Sequence, residues 1–278
     1  VLEKEKLPFL SEARLKYSPF VALALLTCPA AAYAGAWPQA AGGGQLINTF
    51  SYYEVNVQGY NSIGKPAGHG SYTQLELAPY LEYGLTDRWT IGAQPRVQYL
   101  KQTGLPSTGH SFGLVQFNMF ARYTIFHDDW NAVSAQGQLG IPGTSTEAPP
   151  ELAQPNAEYE ARLLYGHAFT LPNGWPGFLD TEGAYRLESN GNASQVRADA
   201  TIGITPVTNW MILAQNFNTI SVGTAVPGSI DYNLNRVELS VLRTLGRRFA
   251  VQFGAWDDVD GRNISLGDAG IAAVWVRF

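Results

Sequence analysis

From residue 45 onward the chain contains about twelve stretches in which apolar and polar side chains alternate with a period of two. Alternate residues of an extended strand point to opposite faces, so this pattern demands strands with one apolar and one polar face, and it forbids a helical fold. In the second stretch Thr73, Leu75, Leu77, Leu81 and Tyr83 oppose Gln74, Glu76, Tyr80 and Glu82. In the third, Trp89, Ile91, Ala93, Val97 and Tyr99 oppose Thr90, Gln94, Arg96 and Gln98. The fourth sets Val115, Phe117, Met119, Ala121, Tyr123 and Ile125 against Gln116, Asn118, Arg122 and Thr124. Later stretches place Glu158, Glu160 and Arg162, then Asp180, Glu182 and Arg186, then Arg197 and Asp199, then Arg236 and Glu238 on the polar parity. The first stretch (46–57) and the ninth (210–218) are strand-like, but their facing is ambiguous.

The connections carry a second regularity. Segments 59–70, 101–111, 142–156, 188–195, 219–230 and 257–267 are long and rich in Gly, Pro, Ser and Asn, and short joins near 84–88, 127–130, 171–177, 205–209 and 244–248 lie between them. Strict alternation of long and short connections is the mark of an up-and-down sheet whose two rims face different compartments, and it implies an even strand number. Twelve strands leave roughly 20 residues for each strand and its connection, of which about 9–11 suffice to cross a membrane.

The last stretch, AGIAAVWVRF, places Ala272, Val274, Val276 and Phe278 on one side and Ile271, Ala273, Trp275 and Arg277 on the other. No sequence follows it, so it is expected to pair backwards with the first strand, which closes a barrel and removes both edges. The fold expected is therefore all-β: a closed antiparallel up-and-down transmembrane barrel over residues 45–278. Phe278, on the apolar face, is expected to meet lipid, and Arg277 to point inward.

Residues 1–34 read as an export signal. Lys4, Lys6, Arg14 and Lys16 precede an apolar run at 19–28, and Ala32-Tyr33-Ala34 offers an A-x-A cleavage site before Gly35. The run is too short to span a bilayer as a helix. A lipid anchor at Cys28, the single cysteine, is the rival, with Thr27 a poor residue before it. Residues 35–44 are then expected as a periplasmic tail. The formal charge of −5 and the presence of only Lys65 and Lys101 among lysines beyond residue 34 exclude a nucleic-acid partner. A soluble exported sandwich would also alternate. Three features favour the membrane: long segments, aromatics near the rims of the apolar face, and a polar face that uses Arg and Glu without Lys.

Two resemblances follow from these residues. A terminal strand carrying Trp275 and Val276 and ending in Phe278 resembles the C-terminal signal by which bacterial outer-membrane barrels reach the barrel-assembly machinery. The stretch EYGLTDRWTIG (82–92), with LGIPG (139–143) and EARLLYGHAF (160–169), resembles the outer-membrane transport proteins grouped with the meta-pathway of phenol degradation. That resemblance implies a monomeric porin-like barrel for passive uptake of small molecules, hydrophobic or aromatic ones included, in contact with outer-membrane lipid and lipopolysaccharide. It brings no catalytic residue.

Neither enzyme chemistry nor a cofactor is expected. Tyr72-Thr73-Gln74 is similar to a fragment of an outer-membrane phospholipase signature, but the required His-x-Ser-Asn-Gly element is absent. His110 and Ser111 are adjacent and, if extended, point to opposite faces. Asp257, Asp258 and Asp260 lack the distal Glu of a calcium loop and are expected in a solvated acidic loop. The lumen is the candidate site, with Glu76, Glu82, Arg96, Arg122, Glu158, Glu160, Arg162, Asp180, Glu182, Arg186, Arg197, Asp199, Arg236 and Glu238 as its lining. Nearly balanced charge there fits either a weakly selective pore or a salt-bridge network that holds a closed wall, in which case the outer loops would carry a structural or adhesive role. An outer-membrane hydrolase is the third reading.

Overall fold

The computed structural model describes residues 35–60, 66–104, 108–143, 150, 152, 156–189, 191–223, 225–226 and 231–278. Residues 1–34, with the expected export signal and Cys28, lie outside them, as does Lys65. The described chain forms twelve strands: β1 (Gly44–Tyr60), β2 (Pro66–Gly84), β3 (Trp89–Thr103), β4 (Gly109–His127), β5 (Asn131–Pro142), β6 (Glu158–Thr170), β7 (Pro176–Glu188), β8 (Ser194–Val207), β9 (Trp210–Val222), β10 (Asn233–Leu245), β11 (Phe249–Arg262) and β12 (Asp268–Arg277). Each pairs antiparallel with its sequence neighbours, and β1 pairs with β12 from Gln45 opposite Arg277 to Glu54 opposite Asp268, so the sheet is a closed barrel. Closure matters because an unpaired backbone amide in lipid costs several kcal/mol, roughly, and a barrel leaves none on an edge. Two further bonds extend the seam: Gly44 N–H to the Phe278 carbonyl at 2.9 Å and Phe278 N–H to the Gly44 carbonyl at 3.0 Å.

The strands run past the alternating stretches into what reads as long loops in the sequence. Strands β2 and β4 reach 19 residues each. Polar, glycine-rich composition does not prevent hairpin pairing once a membrane-embedded ladder has set the register. The acidic segment near residue 258 is the clearest correction: Asp257, Asp258 and Asp260 belong to strand β11, and Asp258 points inward with 4 % of its surface exposed. Its ion pair with Arg236 at 2.7 Å accounts for a buried carboxylate where a solvated loop is expected.

The short turns are built by side chains that cap their own backbone. Asp128 Oδ1 accepts from Trp130 N–H at 2.8 Å and Asn131 N–H at 2.6 Å, and these bonds hold its carboxyl below the ordinary carboxylate range. Thr86 Oγ1 accepts from the N–H groups of Arg88 and Trp89 at 3.2 and 3.0 Å. Around this rim sits an outward aromatic girdle. Trp89 and Tyr123 pair at 5.0 Å, Arg243 lies 4.9 Å over Trp210, and Tyr165 donates to Asn131 at 3.0 Å. Between the rims the outer face is apolar, with Leu77, Ile91, Leu163, Leu239, Val241 and Phe253 all exposed. Water cannot cover a surface of that kind favourably; hydrocarbon can.

The two ambiguous strands have definite faces. On β1, Gln45, Ile47, Ser51, Tyr53 and Val55 are buried inward while Phe50 and Tyr52 are exposed outward. On β9, Met211 and Leu213 point inward and Trp210, Ile212 and Ile220 outward. Residues 35–44 do not extend away from the barrel as a tail. They enter its short-turn end: Gly42 N–H bonds the Gly84 carbonyl at 2.9 Å, and Ala36 is fully buried.

Candidate functional site: the barrel lumen

Inward-facing residues divide the lumen into three levels. At the short-turn end the inner face of β9–β12 and β1 is apolar and tightly filled by Ile47, Met211, Leu213, Leu242, Ala250, Ala273 and Trp275. Cross-strand register sets Leu242 beside Met211, and Trp275 beside both Ala250 and Ile47. The Trp275 indole N–H is satisfied by Gln252 Oε1 at 3.0 Å, and Gln252 in turn donates to Ser240 at 2.8 Å. Across the same level the N-terminal segment fills the remaining space. Ala36 packs with Ala132 and Leu164, and Trp37 lies against them. A side chain at Gly166 would collide with the Trp37 ring, so that glycine is what lets the indole seat on β6.

The polar wall above this level is an ion-pair network. Glu82 and Arg122 pair at 2.8 Å with essentially no exposure of either side chain. Glu82 also accepts from Tyr80 at 2.6 Å, from Gln39 at 2.7 Å and from Gln45 at 3.0 Å. Arg122 bonds the Trp37 carbonyl at 3.3 Å and lies 5.9 Å over Phe120. Strands β6–β8 supply the larger cluster. Arg162 contacts Glu160 and Asp199 at 2.8 Å each and also pairs with Glu182. Arg186 reaches Glu158 at 3.0 Å and Glu160 at 2.9 Å, and Arg197 reaches Glu160 and Asp199 at 3.5 and 3.6 Å. Glu160 thus serves three guanidiniums, a concentration tolerable in a confined space only because each charge meets its opposite. Arg96 pairs with Glu76 at 2.8 Å, and Gln98 also donates to that carboxylate. Glu238, 9 % exposed, sits beside Gln252 and Ser240, without an arginine pair among the described residues. All fourteen lumen candidates therefore lie on the inner face, and each joins an ion pair or a hydrogen bond there.

A polar cavity of about 680 Å³ lies within this network and reaches from Gly35 and Asp180 at one end to Tyr232 and Trp256 at the other. Six arginines (96, 122, 162, 186, 197, 236) and six carboxylates (76, 158, 180, 182, 199, 238) line it, so its walls are close to neutral. Toward the long-loop rim a second chamber of about 570 Å³ is bounded by Tyr53, Tyr72, Arg236, Asp258 and the β11–β12 turn at Ile264. Here Arg236 lies 4.8 Å over the Trp256 ring and 5.7 Å over the Tyr53 ring, and Tyr53 donates to Asp258 at 2.7 Å. Sequence periodicity alone does not find this aromatic and charged corner. Tyr53 sits on a strand with apolar residues on both faces, and Asp258 lies beside a bulge at Asn235/Arg236 that resets the pairing.

Among the described residues the enzyme alternative finds no constellation. Ser111 is buried inward and donates to the Pro150 carbonyl at 2.7 Å, while His110 packs 6.1 Å from the Tyr99 ring on the opposite parity. His167 lies at the outer short-turn rim, 2.9 Å from Asn131.

No family model matches the chain, and no curated protein matches it in sequence. Solved structures do match in fold. The COG4313 outer membrane channel from Pseudomonas putida F1 superposes with a TM-score of 0.64 over 89% of this chain and 98% of that one, at 12% identity. The β domain of the Bordetella autotransporter BrkA does so with a TM-score of 0.53 over 85% of this chain and 100% of that one, at 18% identity. The fold of this chain is the bacterial outer-membrane β-barrel.

Proposed function

We propose that this chain is an outer-membrane porin-like channel for passive movement of small molecules. The observation that carries the reading is the 680 Å³ charged cavity inside a barrel whose outer face is apolar. A wall that served only as a scaffold would gain nothing from keeping polar space open at its centre. The near-equality of lining charges supports weak ion selectivity, since a strongly selective pore presents one sign at its constriction. Neutral polar solutes are therefore the favoured cargo. Within that class, phenolic solutes are the first to test. The resemblance to the phenol meta-pathway transporters points to them, and Tyr53 and Tyr72 around the outer chamber, with Trp256 on the adjoining polar cavity, give an aromatic ring surfaces to stack on.

Planar-bilayer recording of the purified protein tests the reading. Small, weakly selective unitary currents are expected, together with a reversal potential near zero in a salt gradient. Absence of any open state at every voltage and solute tried would instead favour a closed barrel acting through its outer loops. The fully buried Arg122–Glu82 pair and the filled short-turn end are the observations on that side. On either reading the chain enters the membrane through the barrel-assembly machinery, with Trp275, Val276 and Phe278 as its signal and lipopolysaccharide around the long-loop rim. Deleting Phe278 should lower folded yield before it alters conductance, and unchanged yield would remove that role.

A further inference from the structure

Among the described residues two lumenal carboxylates, Asp180 and Glu238, form no ion pair, and Asp180 is the one beside the N-terminal segment. Asp180 is 3 % exposed, and its Oδ2 accepts the Ala36 N–H at 2.9 Å. A second carboxyl group, Glu182, lies beside it on the same inner face and is itself held by Arg162, while Arg122, whose charge also reaches Asp180, is bound to Glu82. Among the described residues no arginine pairs with Asp180. Two carboxyl groups in contact and out of water require either a shared proton or a positive charge beside them.

Gly35 is the residue set against this pair. It lines the cavity together with Asp180 and Glu182, and a Cβ added to it would overlap the Asp180 carboxylate. Its φ of +137° is a further reason that no side chain is accommodated. The backbone of Gly35 therefore touches the acid directly. Gly35 is also the residue that follows the Ala32-Tyr33-Ala34 cleavage motif. While a peptide bond joins Ala34 to Gly35, the Gly35 nitrogen is a neutral amide. Hydrolysis of that bond adds water, leaves a carboxylate on Ala34 and turns the Gly35 nitrogen into an ammonium.

We propose that processing between Ala34 and Gly35 creates a cation beside Asp180, and that the α-ammonium of Gly35 forms an ion pair with the Asp180–Glu182 carboxyls that locks residues 35–40 inside the short-turn end of the barrel. Export maturation would then supply the positive charge that Asp180 lacks. The rest of the segment is already positioned for this role. Trp37 is seated over Gly166, the Gln39 side chain is bound to Glu82, and Gln39 N–H donates to Thr90 at 3.1 Å. The ammonium adds the charged end that fixes the first residue. Nothing in the proposal depends on which solute crosses the barrel, or on whether any does.

The test uses the full chain, exported by a Gram-negative host and purified from outer membranes. Intact mass should place the mature terminus at Gly35. The folded protein is then treated with an amine-acylating reagent near neutral pH, with the exposed Lys101 as internal standard. A free α-amine, with its ordinary pKa of about 8, reacts faster than a lysine under these conditions. The Gly35 amine is expected to react at least tenfold more slowly than Lys101 in the folded barrel, and to become the faster of the two after heat unfolding. Asp180→Asn should restore fast acylation of Gly35 while leaving Lys101 unchanged. Should that variant fail to assemble, Glu182→Gln and the folded-against-unfolded comparison of the wild-type protein still decide the matter. A mature terminus elsewhere, or a Gly35 amine as reactive folded as unfolded, overturns the proposal. So does a rate that an assembled Asp180→Asn protein leaves unchanged.

Discussion

The inner faces of β6–β8 and of β9–β12 close the same barrel by opposite means. Strands β6–β8 present Glu158, Glu160, Arg162, Glu182, Arg186, Arg197 and Asp199 to the lumen and satisfy them with one another. Near the short-turn rim, β9–β12 present Met211, Leu213, Leu242, Ala250, Ile271, Ala273 and Trp275, all buried. One wall holds by charge pairing and leaves a polar cavity beside it; the other holds by close packing and leaves little space. The comparison teaches that the inside of a barrel this size need not be polar throughout. Twelve strands enclose too much room for side chains of one wall to fill, so packing and passage can occupy different parts of a single cross-section.

The largest effect should come from removing the hub of the charged wall. Glu160→Leu leaves Arg162, Arg186 and Arg197 short of their shared partner, and breaking a buried pair of this kind costs about 3–5 kcal/mol. The fraction of protein running as the compact species on unheated detergent gels should fall sharply. A normal fraction would mean that lumenal water already screens the network.

On the packed wall, Leu242→Ala at a site 2 % exposed should destabilise by about 2–5 kcal/mol, while Leu239→Ala on the lipid face, 61 % exposed, should cost much less. Urea midpoints in lipid vesicles measure the contrast, and equal shifts at both positions would erase the distinction between the inner wall and the outer one. A smaller change follows from Trp275→Phe, which keeps most of the ring but drops the indole bond to Gln252. About 1 kcal/mol is expected, read from the same midpoints.

The smallest effect lies at the rim, outside both walls. The two backbone bonds that lower the Asp128 carboxyl make a contribution that is present above the ordinary carboxylate value and lost as pH falls through the lowered one. Protection of the Trp130 and Asn131 amides, measured against their intrinsic exchange rates, should therefore fall only in acid, with the barrel intact. Protection that is flat with pH, or that falls toward neutral pH, would break the capping account.

Much of this molecule is legible without coordinates, for a specific reason. A lipid-facing wall enforces apolar side chains at every second residue, so ten of the twelve strands announce both their existence and their facing, and Thr73 to Tyr83 against Gln74 to Glu82 is as clear as any contact map. The two strands with unclear facing are those that border the packed wall. On β9 both Ile212, outward, and Leu213, inward, are apolar, and on β1 the same holds for Phe50 and Val55. Period-two reading fails where both faces are dry.

The sequence by itself determined the barrel of about twelve strands, the pairing of the last strand with the first, and the inward parity of its charged strand residues. Each of these follows from local alternation and from the need to leave no backbone edge in lipid. Only the tertiary structure decided that Glu160 serves three arginines, that Asp258 leaves its acidic neighbours to meet Arg236, and that residues 35–40 turn into the barrel to reach Asp180. Those contacts join residues up to 144 positions apart. They depend on which strands the closed sheet brings together across its interior, and no periodicity within a single strand records that distance.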